Sequence, residues 1–226
     1  MSGLPTPHPA TLRELRRFDR QHGLPTALGV LRAQLRGGEL ARVLLAMGAG
    51  ALRDPLRRLA RSPHWSPPVE ALVRHQLRAA VRLDDATKRA LRAPDWPEAR
   101  RRALLLEVIA ATGSRFIEHN VPFPTRETWR DAGNAAREGF IEAMRGRLFN
   151  AQLEPAGVTA DAVGFDVSAC RFVELCRELE RPYLAAMFCE ADSRFFAEHT
   201  DLIELRRTRT QARDASPCDF RFTLRS

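Results

Sequence analysis

Apolar residues recur three and four positions apart from Thr11 to about Leu153, and polar residues fill the positions between them. This spacing brings the apolar side chains onto one face of a helix, so it predicts a series of amphipathic helices. One of them is predicted to begin after Thr125, whose side chain suits an N-cap, and to continue to about Phe149. Proline-containing segments divide the periodic stretches, and each is expected to end one helix or begin the next: HPATL, SPHWSPPVE, APDWPEAR and VPFPTRETW.

The pattern changes in the C-terminal third of the chain. Residues 163–170 alternate between apolar and polar, which predicts a short strand with Phe165 and its apolar neighbours on one side. The segment RFVELCRELE that follows has the periodicity of a helix. Because proline favours the first turn of a helix, a second helix is predicted from Pro182 to about His199.

The last residues predict a β-hairpin. Thr208 and Thr210 alternate with arginines before the turn-forming segment RDASP. Phe220 and Phe222 alternate with charged residues after it, and these aromatic side chains are expected to face inward.

Together these elements predict an α+β fold, in which a helical N-terminal part packs with a small antiparallel sheet and two helices at the C-terminus. Residues 1–155 form the helical part in this prediction. Residues 156–226 form a region of strand, helix, helix and hairpin, expected to make one compact unit with the first part.

The charge of the chain raises the question of a nucleic-acid partner. A net charge of +8 arises from 36 Lys and Arg against 28 Asp and Glu, and basic surfaces attract polyanions. However, Lys88 is the only lysine, the arginines are spread among acidic residues along the predicted helices, and no nucleic-acid-reading motif is present. Intrahelical ion pairs explain such a distribution, so no nucleic-acid partner is expected.

Membrane association is not expected either. The apolar run ARVLLAMGAGAL, at residues 41–52, is too short to span a bilayer. The first twenty residues lack the apolar middle of a signal peptide. We therefore predict a cytoplasmic protein.

Cysteine is unevenly distributed. All four cysteines lie in the last 57 residues, at positions 170, 176, 189 and 218. In a reducing compartment they are expected to be thiols rather than disulfides. Cys176 lies on the apolar face of a predicted helix and is interpreted as a core residue. Candidate chemistry is therefore sought in the C-terminal third.

Four separated elements follow one another in this third: Cys170 with Phe172; Cys189 with Asp192; Arg207, Thr208 and Thr210; and Cys218, Asp219, Phe220 and Arg221. Together they resemble the C-terminal pattern of the L-2-amino-thiazoline-4-carboxylic acid hydrolase family. The resemblance extends over about residues 163–224. This chain departs from the pattern in placing Arg171 between Cys170 and the aromatic residue, and in lacking the usual turn glycine.

The resemblance implies an enzyme that hydrolyses a small heterocycle at carbon–nitrogen bonds: water adds to the amidine-like carbon of a 2-aminothiazoline carboxylate and gives an N-carbamoyl cysteine. The predicted catalytic residues are Cys189, Asp192 and Cys218, and the predicted substrate-binding residues are Cys170, Arg207, Thr208, Thr210 and Asp219. Cys189 and Asp192, three residues apart on a helix, share a face. A guanidinium such as that of Arg207 commonly binds a small carboxylate.

Other interpretations stay open. For Cys170 and Cys218, packing at strand ends competes with a role in a pocket. No metal-binding residues are assigned, because the cysteine spacings contain no Cys-x-x-Cys or His-x-x-x-His anchor; zinc or iron is possible if the fold gathers the ligands, and the cofactor is unknown.

The order of elements is also similar to vinyl-reductase-type domains, which predicts a non-catalytic small-molecule-binding module. A helical scaffold that binds partners is a third interpretation. The oligomeric state is not predicted.

Overall fold

The computed structural model of the protein describes residues 4, 7–198, 203–214 and 217–224. A helical array is followed by a sheet with three helices inserted between its strands, which confirms the predicted α+β class. The elements are α1 (Leu12–Phe18), a π-helical turn η1 (Asp19–Gly23), α2 (Leu24–Gln34), α3 (Gly37–Gly50), α4 (Pro67–Ala90), α5 (Glu98–Asn120), α6 (Arg126–Asp131), α7 (Asn134–Arg145), β1 (Ala151–Val158), β2 (Ala162–Cys170), α8 (Arg171–Glu178), α9 (Pro182–Glu198), β3 (Ile203–Arg206), α10 (Gln211–Asp214) and β4 (Cys218–Leu224). None of the helices in these ranges combines the length and apolarity of a membrane span.

The single helix predicted from Thr125 to Phe149 is wrong, because the chain breaks into α6 and α7 at Ala132 and Gly133. Thr125 does cap the first helix, since its hydroxyl oxygen accepts a hydrogen bond from the Thr128 backbone N–H. Ala132 and Gly133 are both extended, and the buried Arg137 donates from Nε to the Trp129 carbonyl and from Nη2 to the Arg130 carbonyl. Arg137 thus satisfies two carbonyls that a continuous helix would have bonded internally.

The sheet is antiparallel, with strand order β1-β2-β4-β3. The strand at residues 163–170 is confirmed as β2, but β1 was missed because it contains Pro155 and Gly157, two residues that are uncommon within strands. Its position at the edge of the sheet tolerates proline, and register shifts at Gln152/Leu153 and Pro155/Gly157 accommodate the irregularity. Gly157 has φ +130°, a conformation that favours glycine.

The predicted terminal hairpin is confirmed as the pairing of β3 with β4, but its first strand was placed too late in the sequence. β3 ends at Arg206, so Thr208 and Thr210 lie in irregular backbone ahead of α10. The predicted turn residues 215 and 216 lie outside the described residues, as does His199 at the predicted end of α9.

A buried ion pair joins the start of α4 to the start of α8. Arg171 is only 1% exposed, and its Nε and Nη2 donate to the Glu70 carboxylate at 2.8 and 2.9 Å. Glu174 and Glu178 each accept from Nη1 at 3.0 Å. Burial opposes ionisation of Glu70, but hydrogen bonds from Arg171 and Arg74 lower its pKa overall. The start of α8, and with it the end of β2, is therefore fixed to the start of α4.

The largest apolar core contains side chains from both sides of residue 155, including Val108 and Ile109 of α5 and Leu184 and Ala185 near the start of α9. α5 and α9 approach closely where Gly113 faces Ala191. A Cβ atom built on Gly113 would lie 2.4 Å from the Ala191 Cβ, so the absence of a side chain permits this contact.

Replacing Gly113 with Ala should therefore destabilise the protein. Overpacking costs roughly 1–3 kcal/mol, which exceeds the ~1 kcal/mol that alanine contributes through helix propensity. Gly139 in α7 is a matched control, because an added Cβ has no neighbour within 4 Å and Gly139→Ala should stabilise by about 0.5–1 kcal/mol. Urea unfolding measures both effects, and equal stabilisation by the two substitutions would contradict the close α5–α9 contact.

Candidate active site

A cavity of about 700 Å³ lies between the sheet and the helices. Ligand sites in proteins typically have such volumes and a mainly apolar lining with a few polar groups. The sheet contributes aromatic and aliphatic side chains to its wall, including Phe165, Val167, Phe220 and Phe222. α5 contributes one face, at spacings of three and four residues, from Val108, Ile109, Thr112, Gly113, Phe116 and Ile117.

Five of the eight predicted site residues line this cavity. Cys170 lies at the end of β2, Cys189 and Asp192 on α9, Arg207 directly after β3, and Cys218 at the start of β4. The fold thus gathers positions that are up to 48 residues apart, from 170 to 218, around one space. The other three residues, Thr208, Thr210 and Asp219, lie beside this group without lining the cavity.

The polar centre of the cavity is an ion pair between Arg207 and Asp192, with Arg207 Nη1 2.8 Å from Asp192 Oδ2. The other terminal nitrogen of Arg207 donates to the Cys189 carbonyl at 2.7 Å and to the Ser193 hydroxyl at 3.0 Å. The guanidinium also lies 4.9 Å from the centre of the Phe220 ring. Only 7% of the Arg207 side chain is exposed, so this residue is held rigidly by α9 and β4.

Asp192 is the more accessible member of the pair. It is deeply placed in the protein, yet 31% of its side-chain surface stays open, and it lines the cavity. Burial raises the pKa of Asp192 above its usual value, and the charge and hydrogen bond of Arg207 only partly offset this rise. The site therefore presents an oriented carboxylate of increased basicity to an apolar space.

Two thiols beside this carboxylate, Cys170 and Cys189, are held in the neutral form. Burial raises the pKa of Cys170 to about 11, despite opposing contributions from nearby backbone N–H groups and Asn150. Burial and the negative charge of Asp192 raise the pKa of Cys189 further. Cys218 is buried, and its Sγ accepts a hydrogen bond from the Gln211 backbone N–H at 3.2 Å. At neutral pH Cys170 and Cys189 are therefore weak hydrogen-bond donors and not thiolate nucleophiles.

Asp219 fixes the backbone that carries Arg207. Its carboxylate accepts hydrogen bonds from the Thr208 N–H at 2.9 Å, the Arg209 N–H at 2.6 Å and the Thr208 hydroxyl at 2.6 Å. Burial opposes ionisation, but these donors lower the pKa of Asp219 overall. Asp219 and Thr208 thus form a clamp between β4 and the segment after β3, and the clamp positions the Arg207 side chain over α9.

A model of the L-2-amino-thiazoline-4-carboxylic acid hydrolase family matches residues 98–222, from the first residue of α5 into β4. The chain belongs to this family. The match covers more than half of the sequence and confirms the predicted membership. Searches of curated proteins and of solved structures found no match.

In this member of the family the cavity also contains polar residues that the sequence analysis did not select. Arg147 and Asn150 line it, and Asn120 holds Arg147 by accepting from Nη1 at 3.0 Å. The Asn150 amide lies 3.9 Å from the Cys170 sulfur. The sequence offered no signal for Arg147, because it is one of many arginines and its side chain reaches the cavity only through the packing of α5 against the residues after α7.

A histidine–carboxylate pair lines another part of the cavity. His75 Nε2 on α4 lies 2.7 Å from Asp19 Oδ2 in the π-helical turn η1. The two residues are 56 positions apart, so no local pattern could reveal the pair. π-Helical turns often occur at functional sites, and this one places Asp19 in the cavity wall.

No metal centre is found among the described residues. Within the ranges that the structure describes, no three histidine, cysteine, aspartate or glutamate side chains converge in an arrangement that could hold a metal ion. Cys170, Cys189 and Cys218 share a cavity wall without forming such a group. Cys176 is buried in the core away from the cavity lining, and burial raises its pKa to about 12.

Replacing Asp219 with Asn should destabilise the protein at neutral pH by about 1–2 kcal/mol, because a charged acceptor of three hydrogen bonds is lost on a partly exposed surface. The folded pKa of Asp219 is lowered, so its stabilisation is complete above the unfolded pKa of about 3.9 and is lost as pH falls through the folded value. Urea unfolding at several pH values should therefore show a difference that shrinks below about pH 4.

The exposed Asp161 provides a control for this experiment, since its contact with Arg130 is long, at 3.4 Å, and both side chains are exposed. Asp161→Asn should change stability by less than about 0.5 kcal/mol. A difference between wild type and Asp219→Asn that stays constant down to low pH would show that the ionised carboxylate does not hold the segment.

Proposed function

We propose that this protein is a hydrolase that adds water to the amidine carbon of a small cyclic amidine, of the thiazoline carboxylate type. Family membership supports hydrolase chemistry. The observation that carries the proposal is the Asp192 carboxylate, which Arg207 orients and which opens onto an otherwise largely apolar cavity. A cationic amidine is attracted to a carboxylate, and the attraction is stronger where water is excluded.

Asp192 serves as the general base in this mechanism. Its raised pKa makes it a better proton acceptor than an ordinary aspartate. The Arg207 bond to Oδ2 leaves Oδ1 without a donor among the described side chains, so Oδ1 can accept the proton of an attacking water. Arg207 acts as a positioning residue, and the Thr208–Asp219 clamp acts through it.

Every bond and proton in the proposed reaction can be accounted for. The water oxygen bonds to the amidine carbon, one water proton passes to Asp192, and the tetrahedral intermediate then collapses. Formation of an N-carbamoyl cysteine requires that the ring carbon–sulfur bond breaks and that the proton moves from Asp192 to the departing sulfur. Breaking a carbon–nitrogen bond to the exocyclic amine would release ammonia instead. The S–H groups of Cys189 and Cys218 are proposed to donate weak hydrogen bonds to the departing group.

The substrate carboxylate has two candidate partners. Arg207 was predicted from the sequence, but its terminal nitrogens are occupied by Asp192, the Cys189 carbonyl and Ser193. Arg147 lines the same cavity, and 16% of its side chain is exposed. Its Nη1 is held by Asn120 and lies 3.7 Å from Glu14 Oε1, whereas its Nε has no hydrogen-bond partner among the described residues. We therefore propose that Arg147 binds the carboxylate. Of the residues predicted to bind substrate, Cys170 forms part of the cavity wall, Thr208 and Asp219 hold the backbone that carries Arg207, and Thr210 lies beside them.

Asp192→Asn should lower kcat for 2-aminothiazoline-4-carboxylate by about 10²–10⁴-fold, because the general base is lost. Cys189→Ala should also reduce turnover while folding stays cooperative. Product is measured by mass spectrometry, with separate assays for free thiol and for ammonia to identify which bond breaks. Glu198→Gln is the matched control, since this residue of α9 lies outside the cavity lining and pairs with Arg194. Full activity of both Asp192→Asn and Cys189→Ala would refute the site assignment.

Arg147→Met should raise KM for the carboxylate substrate about 10–100-fold, the loss expected for a charge-assisted hydrogen bond. The same substitution should leave KM for 2-aminothiazoline, which lacks the carboxylate, nearly unchanged. Comparing the two compounds separates carboxylate recognition from general damage to the cavity. An equal rise for both compounds would assign Arg147 a structural role only.

A non-catalytic small-molecule-binding module is the second candidate function. The raised pKa values of Cys170 and Cys189 favour it, because neutral buried thiols do not act as nucleophiles. In that case a ligand would raise the melting temperature of the purified protein, and no product would form in the assay described for Asp192→Asn.

A further inference from the structure

The cavity extends far beyond its polar centre. In addition to the sheet, α5 and α9, it is lined by residues of η1, α2, α3 and α4, which lie in the helical N-terminal part. We call this region the apolar lobe and define it by Ala27, Leu28, Leu31, Leu44, Met47 and Leu83. The family match begins only at residue 98, so all of these residues precede it.

The volume of the cavity exceeds what a small heterocycle requires. The nine non-hydrogen atoms of 2-aminothiazoline-4-carboxylate, at no more than the ~30 Å³ that a water molecule occupies in the liquid, fill at most about 270 Å³. The cavity measures about 700 Å³. Protein interiors are close-packed with few voids larger than a water molecule, so a space of this size indicates a ligand.

The lobe favours an apolar occupant. Leu31 and Leu83 are buried, and apolar side chains dominate this part of the lining. Such cavities are poorly hydrated and bind apolar molecules. The lobe reaches the surface at Leu24 and Leu44, which are 58% and 42% exposed although both line the cavity. A long apolar group could therefore enter between α2 and α3.

We propose that the natural ligand is amphipathic, with an amidine head at Asp192 and an apolar substituent of several carbons in the apolar lobe. The position of the amidine head rests on the proposed function. The position of the apolar substituent rests only on the lining of the apolar lobe. His75 and Asp19, which also line the cavity in this part, provide a polar border beside the lobe.

A series of S-alkylisothioureas tests the proposal, since these compounds share one amidinium head and differ only in the length of the alkyl chain. Binding of the methyl, butyl and hexyl compounds to the full-length protein is measured by isothermal titration calorimetry. Each added methylene should tighten Kd about fourfold, the value expected for burying one CH₂ group. The heat capacity change should become more negative along the series.

Ala27→Trp should fill the lobe and remove the gain from chain length while leaving the Kd of the methyl compound unchanged. Because Ala27 is half-buried, a tryptophan there can also disturb the packing of α2. Leu24→Trp, at an exposed position that also lines the cavity, therefore serves as a second blocking variant. Ala33→Trp is the matched control, because Ala33 lies on the exposed face of α2 outside the lining. Circular dichroism verifies the helical content of each variant.

Different results test the position of the apolar substituent and the position of the amidine head. A Kd that does not depend on chain length, or that responds equally in Ala27→Trp, Leu24→Trp and Ala33→Trp, would overturn the proposed apolar substituent. A chain-length dependence that only the blocking variants remove would support it. If Asp192→Asn then left the binding of all three compounds unchanged, the lobe assignment would stand and the proposed position of the head would fail.

Discussion

The ion pair between Arg171 and Glu70 is the interaction on which the arrangement of the molecule depends. Two buried charges are costly to remove from water, and the cost is offset only where geometry and additional hydrogen bonds are good. Both guanidinium edges of Arg171 are satisfied by carboxylates, and Glu70 also accepts from Arg74. Because Arg171 directly follows Cys170, this pair fixes the point where β2 leaves the cavity and α8 begins. Losing one partner would leave an uncompensated charge in the core, so alternative packings of the helices against the sheet are disfavoured.

A second set of polar contacts extends this order to the cavity. Asp219 on β4 holds Thr208 and Arg209, the held backbone directs Arg207 onto α9, and Arg207 orients Asp192. Motif elements that are separated in sequence thus form one chain of contacts. Most of these residues need not touch a ligand, since their contribution is to fix a single carboxylate. This explains why threonine and aspartate belong to the pattern although they lie outside the cavity lining.

Much of the architecture was predictable because it follows local rules. The periodicity of the apolar residues predicted the helices, and β2, α8 and α9 lie close to where alternation and Pro182 placed them. The errors have specific causes. β1 contains proline and glycine, which only an edge position and a bulged register make acceptable. The break at Gly133 depends on Arg137, which bonds to carbonyls of the preceding helix. Thr208 lies outside β3 because its backbone N–H donates to the Asp219 side chain and not to the backbone of a neighbouring strand.

The sequence by itself determined the α+β class, the family and the set of residues from which the site is built, because hydrophobic periodicity and motif order are local and linear properties. Only the tertiary structure decided which of those residues share a cavity, that Arg207 is occupied by Asp192, and that Arg147, His75 and the apolar lobe belong to the same space. The physical reason is that burial, ion pairing and pKa shifts depend on contacts between positions distant in sequence. The pKa of Asp192 is raised because the fold buries its carboxylate, and Arg207 from the segment after β3 offsets only part of this rise; no local pattern contains that information.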